Sequence, residues 1–260
     1  MRILTFVKQV PEMPDVCYDS ATGQLDFKNT PAIISPFDLY AVEEAIATKE
    51  KHGGEVTVLS MGPERVREVL KEALAMGCDK AIHLWDGAME GSDAWATAKI
   101  LHSAAAKLGG YDVAFFGRQA VDGETAAVGA MFARLGSARF AACCSGVTFA
   151  DNTVKVARSI EAGKEIVEME LPAVISMVKD ANKPRYASLL GLRKAAKAEI
   201  PVWGLADLGL DTSEVGIGSS RIKITELVAP QERTAGEIFV VEDPETGAAR
   251  LIEILTTLGR

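Results

Sequence analysis

Cysteine and histidine are scarce in this chain of 260 residues, which holds four cysteines (Cys17, Cys78, Cys143 and Cys144) and three histidines. None of the cysteines has CxxC spacing. A zinc ribbon or a dithiol redox motif is therefore excluded, no metal site is expected, and the cysteines read as buried reduced thiols. Positive charge is also short: 28 Lys and Arg stand against 36 Asp and Glu, for a net charge of −8. Such a surface lacks the basic footprint that duplex nucleic acid or an anionic membrane requires. The N-terminal stretch "MRILTFVKQV" is apolar only as far as Lys8, too short for a signal-peptide core or a membrane span. A soluble, cytoplasmic chain without membrane insertion is expected. Two phosphate-binding motifs are missing as well. No G-x-G-x-x-G follows the first strand and no G-x-x-x-x-G-K-[ST] occurs, which excludes a standard dinucleotide fingerprint and a P-loop NTPase.

What remains is a chain that is 48% hydrophobic, enough for one large α/β domain with an appendage. Apolar runs of strand length alternate with segments of helical period. "RILTFV" reads as the first strand. "SPFDLYAVEEAIATKEKHGG" reads as a helix, with Ser35 and Asp38 matching a capping box, Pro36 at the first helical position, Leu39, Val42 and Ile46 as its stripe, and Gly53-Gly54 at its end. Then come the strand "EVTVLSMG", a helix in "PERVREVLKEALAMG", the strand "KAIHLW", a helix in "SDAWATAKILHSAAAKLGG", the strand "DVAFFG" and a helix from Thr125 to Leu135. Strands separated by helices of this length imply βαβ crossovers, hence a doubly wound, mostly parallel sheet.

After "FAACCSGVTF" the period drops to two, and "EAGKE" reads as the turn of a β-hairpin, an antiparallel extension of the sheet. From Pro201 the chain turns irregular, and only "AARLIEILTTLG" keeps a helical period. The organisation expected is an α/β domain over residues 1–200 and a C-terminal arm over 201–260. Because the arm keeps Trp203, Leu205, Leu208, Ile222 and Ile224, it is expected to lie on a partner subunit.

Ligands of open α/β sheets bind beyond the carboxyl ends of the strands. The loop "GRQAVDGETAAVG" has that address. Arg118 can supply a bidentate cation, the small Ala126, Ala127 and Gly129 allow close approach, and the following helix N-terminus suits a phosphate. The same residues also admit a plain structural reading, in which Asp122, Glu124 and Thr125 only cap the helix. Strand ends "VKQVP" and "LSMG" add polar groups, so that three successive turns could line one nucleotide pocket.

"VKQVP", "SPFDLYAVEEA", "VTVLSMGP", "GRQAVDGETAAVG" and above all "NKPRYASLLGLRKAAK" resemble the beta subunit of electron transfer flavoprotein, over residues 7–197. The resemblance implies a flavodoxin-like, adenine-nucleotide-binding fold paired with an alpha subunit, whose mobile domain carries a flavin, and a C-terminal arm wrapped around that subunit. It places Phe6, Val7, Lys8, Asp38, Ser60, Met61 and the loop residues Arg118, Gln119, Ala120, Asp122, Gly123, Glu124, Thr125, Ala126, Ala127 and Val128 at the nucleotide. Family members hold either a structural AMP or, in flavin-bifurcating members that use NADH, a second FAD. The stretch Asp122 to Val128 resembles the bifurcating pattern D-G-x-T-x-x-V, whereas AMP binders carry Asn and Thr at the positions of Ala126 and Val128. Ala127 departs from a Gln common in bifurcating relatives. By resemblance, FAD is the expected cofactor with AMP as the alternative. NADH is the donor, the partner dehydrogenase is of acyl-CoA, lactate or quinone-linked type, and ferredoxin or flavodoxin is the low-potential acceptor.

The segment after Lys183 carries a second site. Arg185, Arg193, Lys194 and Lys197 suggest a basic helix face, with Tyr186, Leu189 and Leu190 on the loop before it. The resemblance makes Arg185, Tyr186, Leu189 and Leu190 a docking loop for the partner dehydrogenase. Two other classes share the sheet pattern. A stand-alone adenine-nucleotide binder of the universal-stress type would not need the 60-residue tail, and an ATP-using enzyme would need glycines in "VKQVPEMPD", which has none.

Overall fold

The computed structural model describes residues 1–12, 17–19, 24–26, 30–223, 225, 240 and 243–258. Strand β1 (Arg2–Phe6) leads into four short strands, β2 (Gln9–Pro11), β3 (Cys17–Asp19), β4 (Gln24–Asp26) and β5 (Ala32–Ile34). Of these, β2 pairs with β5 and β3 with β4. There follow α1 (Pro36–His52), β6 (Glu55–Met61), α2 (Arg67–Met76), β7 (Lys80–Leu84), α3 (Ala94–Lys107), β8 (Val113–Gly117) and α4 (Val128–Leu135). The chain continues with β9 (Arg139–Ala150), β10 (Thr153–Ile160), β11 (Gly163–Glu170), β12 (Ala173–Met177), α5 (Leu189–Ala196) and β13 (Val202–Trp203). Three helices close it, α6 (Leu205–Leu208), α7 (Gly216–Ser219) and α8 (Pro244–Leu258).

Nine strands form one sheet in the order β11-β10-β9-β12-β8-β1-β6-β7-β13. Only β10 runs against the others. The strands are buried on both faces, which explains why "RILTF" and "VAFFG" read as continuous apolar runs. Alternation divides them between two cores. Ile3, Val113 and Phe115 pack with Val42, Ile46, Leu70 and Ala73 of α1 and α2. Leu4, Phe6, Ala114 and Phe116 pack with Leu101, Ala104 and Phe132 of α3 and α4 on the other face. Burying each large side chain of this kind is worth about 1.5–3 kcal/mol. The hairpin forms as expected, with Ile160 opposite Gly163. Cys78 and Cys144 are buried free thiols and Cys143 is half-buried.

Four local expectations change. Ser35 stands at the N-cap of α1 but makes no side-chain cap bond. The expected capping box does not form, because the Asp38 carboxylate is taken by backbone N–H groups of two strand ends. The last helix before the hairpin begins at Val128 and not at Thr125. Glu124 and Ala126 have φ of +48° and +50°, and left-handed residues cannot open a right-handed helix. Leu189 and Leu190 lie in the first turn of α5, not on the loop before it, because Ser188 caps that turn by accepting the Gly191 N–H at 2.9 Å. The fourth change concerns the tail. Val202 and Trp203 extend the sheet beside β7, and Leu205, Leu208 and Val215 are buried in the second core. The apolar residues of 201–215 thus cover a sheet edge of this chain. The chain divides into two compact units, Met1–Glu226 and Leu227–Arg260, and α8 is the helix described in the second. Ile224 and most of 226–242 lie outside the described residues.

Candidate nucleotide cleft and docking loop

From β1 the chain moves outward through β6 to β7, then returns to the other side of β1 as β8. The sheet therefore has its switch point between β1 and β8, and a crevice must open beyond their carboxyl ends. A cleft of about 560 Å³ lies there. Phe6, Val7 and Lys8 line it from β1, Asp38 from α1, and Ser60 and Met61 from β6. Arg118, Gln119, Ala120, Gly123, Glu124, Thr125, Ala126, Ala127 and Val128 line it from the loop after β8. Asp122 is not in its lining; it borders an adjoining smaller hollow that Lys8 and Met61 share.

The floor is aromatic. Phe6 and Phe116 stack with centroids 4.2 Å apart, and Phe132 meets Phe6 edge-on at 5.0 Å. Gly129 lets α4 come down on this floor, since a Cβ there would stand 3.3 Å from the Phe116 ring.

Asp38 ties the switch point together. Its Oδ2 accepts the Lys8 N–H at 2.8 Å and its Oδ1 the Gly117 N–H at 3.2 Å. Gly117 must be glycine, because a Cβ would lie 2.3 Å from Asp38 Oδ1 and 2.7 Å from the Asp38 nitrogen. Burial raises the Asp38 pKa to about 7, against the opposing pull of those two N–H groups and the Lys8 charge. Ser60 donates its hydroxyl to the Val7 carbonyl at 2.6 Å, so it fixes the end of β1 and its proton is committed.

The two cations of the cleft differ. Lys8 Nζ is paired with Asp122, at 2.8 and 2.6 Å from the two carboxylate oxygens. The Arg118 side chain is exposed and makes no hydrogen bond or ion pair among the described residues, while its backbone N–H donates to the Met177 carbonyl at 2.8 Å. Beside it the loop holds left-handed backbone at Glu124 and Ala126, a conformation that costs about 1 kcal/mol or more per residue.

The second surface is exposed and apolar. Tyr186 is 96% exposed, Leu189 82% and Leu190 79%. Arg185 is not part of it. Its guanidinium is bound to Glu43 at 2.9 Å and to Glu50, both on α1.

A family model described as an electron transfer flavoprotein domain matches residues 22–208. The electron transfer flavoprotein subunit beta of Thermoanaerobacterium thermosaccharolyticum is 41% identical, over 92% of each chain. The caffeyl-CoA reductase-Etf complex subunit CarD of Acetobacterium woodii is 36% identical, again over 92% of each. Protein FixA of Azorhizobium caulinodans is 35% identical, over 96% of this chain and 91% of its own. The chain belongs to the electron transfer flavoprotein beta-subunit family. With that membership comes flavin-linked electron transfer.

The family motifs account for all but one side of the cleft. Ser92, Asp93, Ala94 and Thr97 line it from the start of α3, and Ser220 and Ile222 from the tail. Asp93 caps α3 by accepting the Ala96 N–H at 2.9 Å and also takes the Arg221 N–H at 2.8 Å. Although burial acts to raise it, these N–H groups and the Arg221 charge hold the Asp93 carboxyl below its usual range. A Ser-Asp pair ahead of a helical run was the available signal. It was obscured because β7 does not pass directly into α3 but first makes a short turn of 3₁₀ helix over Gly87–Met89. Among the described residues no helix is long and apolar enough to cross a membrane.

Proposed function

We propose that this chain is the beta subunit of a two-chain electron carrier of the flavin-bifurcating type, holding the ADP half of an FAD in the switch-point cleft. When bound, that flavin supplies hydride acceptance from NADH and onward transfer of single electrons, through the alpha subunit's flavin to a dehydrogenase and to ferredoxin or flavodoxin. The work of this chain is to bind and orient. The cleft size and apolar floor suit a cofactor of this kind. Arg118 offers an unpaired guanidinium for phosphate oxygens. The observation that carries the reading is the lining at 126–128, Ala126-Ala127-Val128, which presents no side-chain hydrogen-bond donor. A terminal phosphate is left without side-chain partners there, whereas a diphosphate continuing outward needs only Arg118 and backbone N–H groups. CarD is a relative whose name, for a caffeyl-CoA reductase-Etf complex, accords with a complex-bound role.

In this reading Tyr186, Leu189 and Leu190 dock the partner dehydrogenase, of acyl-CoA, lactate or quinone-linked type. Residues 227–260 hold the alpha subunit, and the complex works in the cytoplasm. The test is cofactor stoichiometry. With the chain co-expressed with its alpha subunit and its nucleotides released by acid, about two FAD and no AMP per heterodimer are expected. One FAD with one AMP would replace the proposal with an ordinary single-electron shuttle carrying structural AMP.

A further inference from the structure

The segment that follows β12 lies along α1 and is tied to one stripe of it. Tyr40, Glu43, Glu44 and Glu50 recur at helical spacing on that stripe. Asn182 donates to the Tyr40 carbonyl at 3.0 Å and to Glu44 Oε2 at 3.1 Å. Arg185 then closes the run. Its backbone N–H and its Nε donate to Glu43 Oε2 at 3.0 and 2.9 Å, its Nη2 to Glu43 Oε1 at 2.9 Å, and both terminal nitrogens reach Glu50, two turns farther along α1. The Glu43 side chain is only 11% exposed, a buried carboxylate that needs a fixed counter-charge.

The other end of the loop is also pinned. Gly191 lies so close to α2 that a Cβ would be 2.2 Å from the Ala75 carbonyl oxygen, and Ala195 is buried one turn on. Between these two anchors the chain turns Tyr186, Leu189 and Leu190 to solvent, Tyr186 immediately after the clamp.

We infer that Arg185 is a positioning residue and not a docking contact: bridged between Glu43 and Glu50, it fixes the base of the 186–190 segment, a short loop and the first turn of α5, so that Tyr186, Leu189 and Leu190 are presented in one arrangement. This inference rests on the docking reading above. A planar guanidinium suits the site because its five donors can pair in bidentate fashion with two carboxylates at once; a lysine ammonium is a point charge that can touch both acids but not pair with each through two bonds. Holding three apolar side chains in advance spares the ordering that a partner would otherwise have to impose on binding. The loss of the clamp therefore appears in partner affinity and not in the electron-transfer step.

The experiment uses the full alpha-beta complex with four variants, Arg185→Ala, Arg185→Lys, Glu50→Gln and Leu189→Ala. Two quantities are read: the rate of chymotryptic cleavage after Tyr186 and Leu189, and KM and kcat with an acyl-CoA dehydrogenase as electron partner. Arg185→Ala is expected to raise cleavage by about tenfold or more and KM severalfold, with kcat at saturation and flavin content unchanged. Arg185→Lys and Glu50→Gln should fall between it and wild type, and they carry the test if the alanine variant does not fold. If Leu189→Ala raises KM while the Arg185 and Glu50 variants keep wild-type cleavage and KM, the positioning role is overturned and docking stands. If Leu189→Ala leaves KM unchanged, the docking reading falls and this inference with it.

Discussion

Arg118, on the loop after β8, is exposed and its guanidinium has no partner among the described residues. Arg185, on the loop before α5, is held by two carboxylates of α1. Both stand in glycine-containing, polar stretches and look equally available in sequence. Their neighbours set their uses. Around Arg118, Asp122 is spent on Lys8 and Asp38 on backbone N–H groups, and Glu124, which also lines the cleft, makes no ion pair with it, so the guanidinium is left for a ligand. Around Arg185 two acids of α1 are spaced to receive one guanidinium, so its charge serves architecture. The cleft is concave with a strained loop; the docking segment is exposed to solvent and pinned at both ends.

Each region also depends on one glycine, and exchanging these gives the largest effects. Gly117→Ala drives a Cβ into Asp38 and the backbone of α1, and Gly191→Ala drives one into the Ala75 carbonyl. Overpacking of this kind costs about 1–3 kcal/mol or more. Denaturant melts should show both losses, but only Gly117→Ala should also lower nucleotide content. Equal nucleotide loss in both would break the distinction between the two regions.

A smaller effect follows from Asp38. Its pKa stands at about 7, above the ordinary 3.8. Its contribution to stability is therefore present in acid and lost as pH rises through about 7. Between about pH 8 and pH 6 the fold should gain about 1 kcal/mol from this group. Asp38→Asn should flatten that part of the profile in urea titrations, and an unchanged slope would remove Asp38 from the account of the switch point.

Arg118→Ala should leave the melt unchanged and weaken nucleotide binding by about 10- to 100-fold, the worth of a charge-assisted hydrogen bond. Equilibrium dialysis checks it. Leu189→Ala should have the smallest effect on the fold, within about 0.5 kcal/mol, with nucleotide content intact and slower electron exchange with the partner dehydrogenase.

Much of this architecture was legible because its signals are local. Apolar runs gave the parallel strands, "EAGKE" the hairpin turn, and the strand-end loops the place of the cleft. What escaped the sequence depended on distant partners. Nothing in "SPFD" tells that Asp38 meets Lys8 and Gly117 across the sheet instead of Ser35. Left-handed Glu124 and Ala126 are not glycines, so the late start of α4 had no local mark. The role of Arg185 depends on acids more than 130 residues away. Residues 201–215 look unsupported in sequence because their support is distant: β13 within them pairs with β7 at the outer edge of the sheet.

The most direct test of the cleft is amide hydrogen exchange on the alpha-beta complex, stripped of nucleotide and then reloaded with FAD. Protection on reloading is expected at residues 6–8 and 117–128, with 186–190 unchanged. Protection that spares 117–128 would contradict the placement of the nucleotide at the switch point.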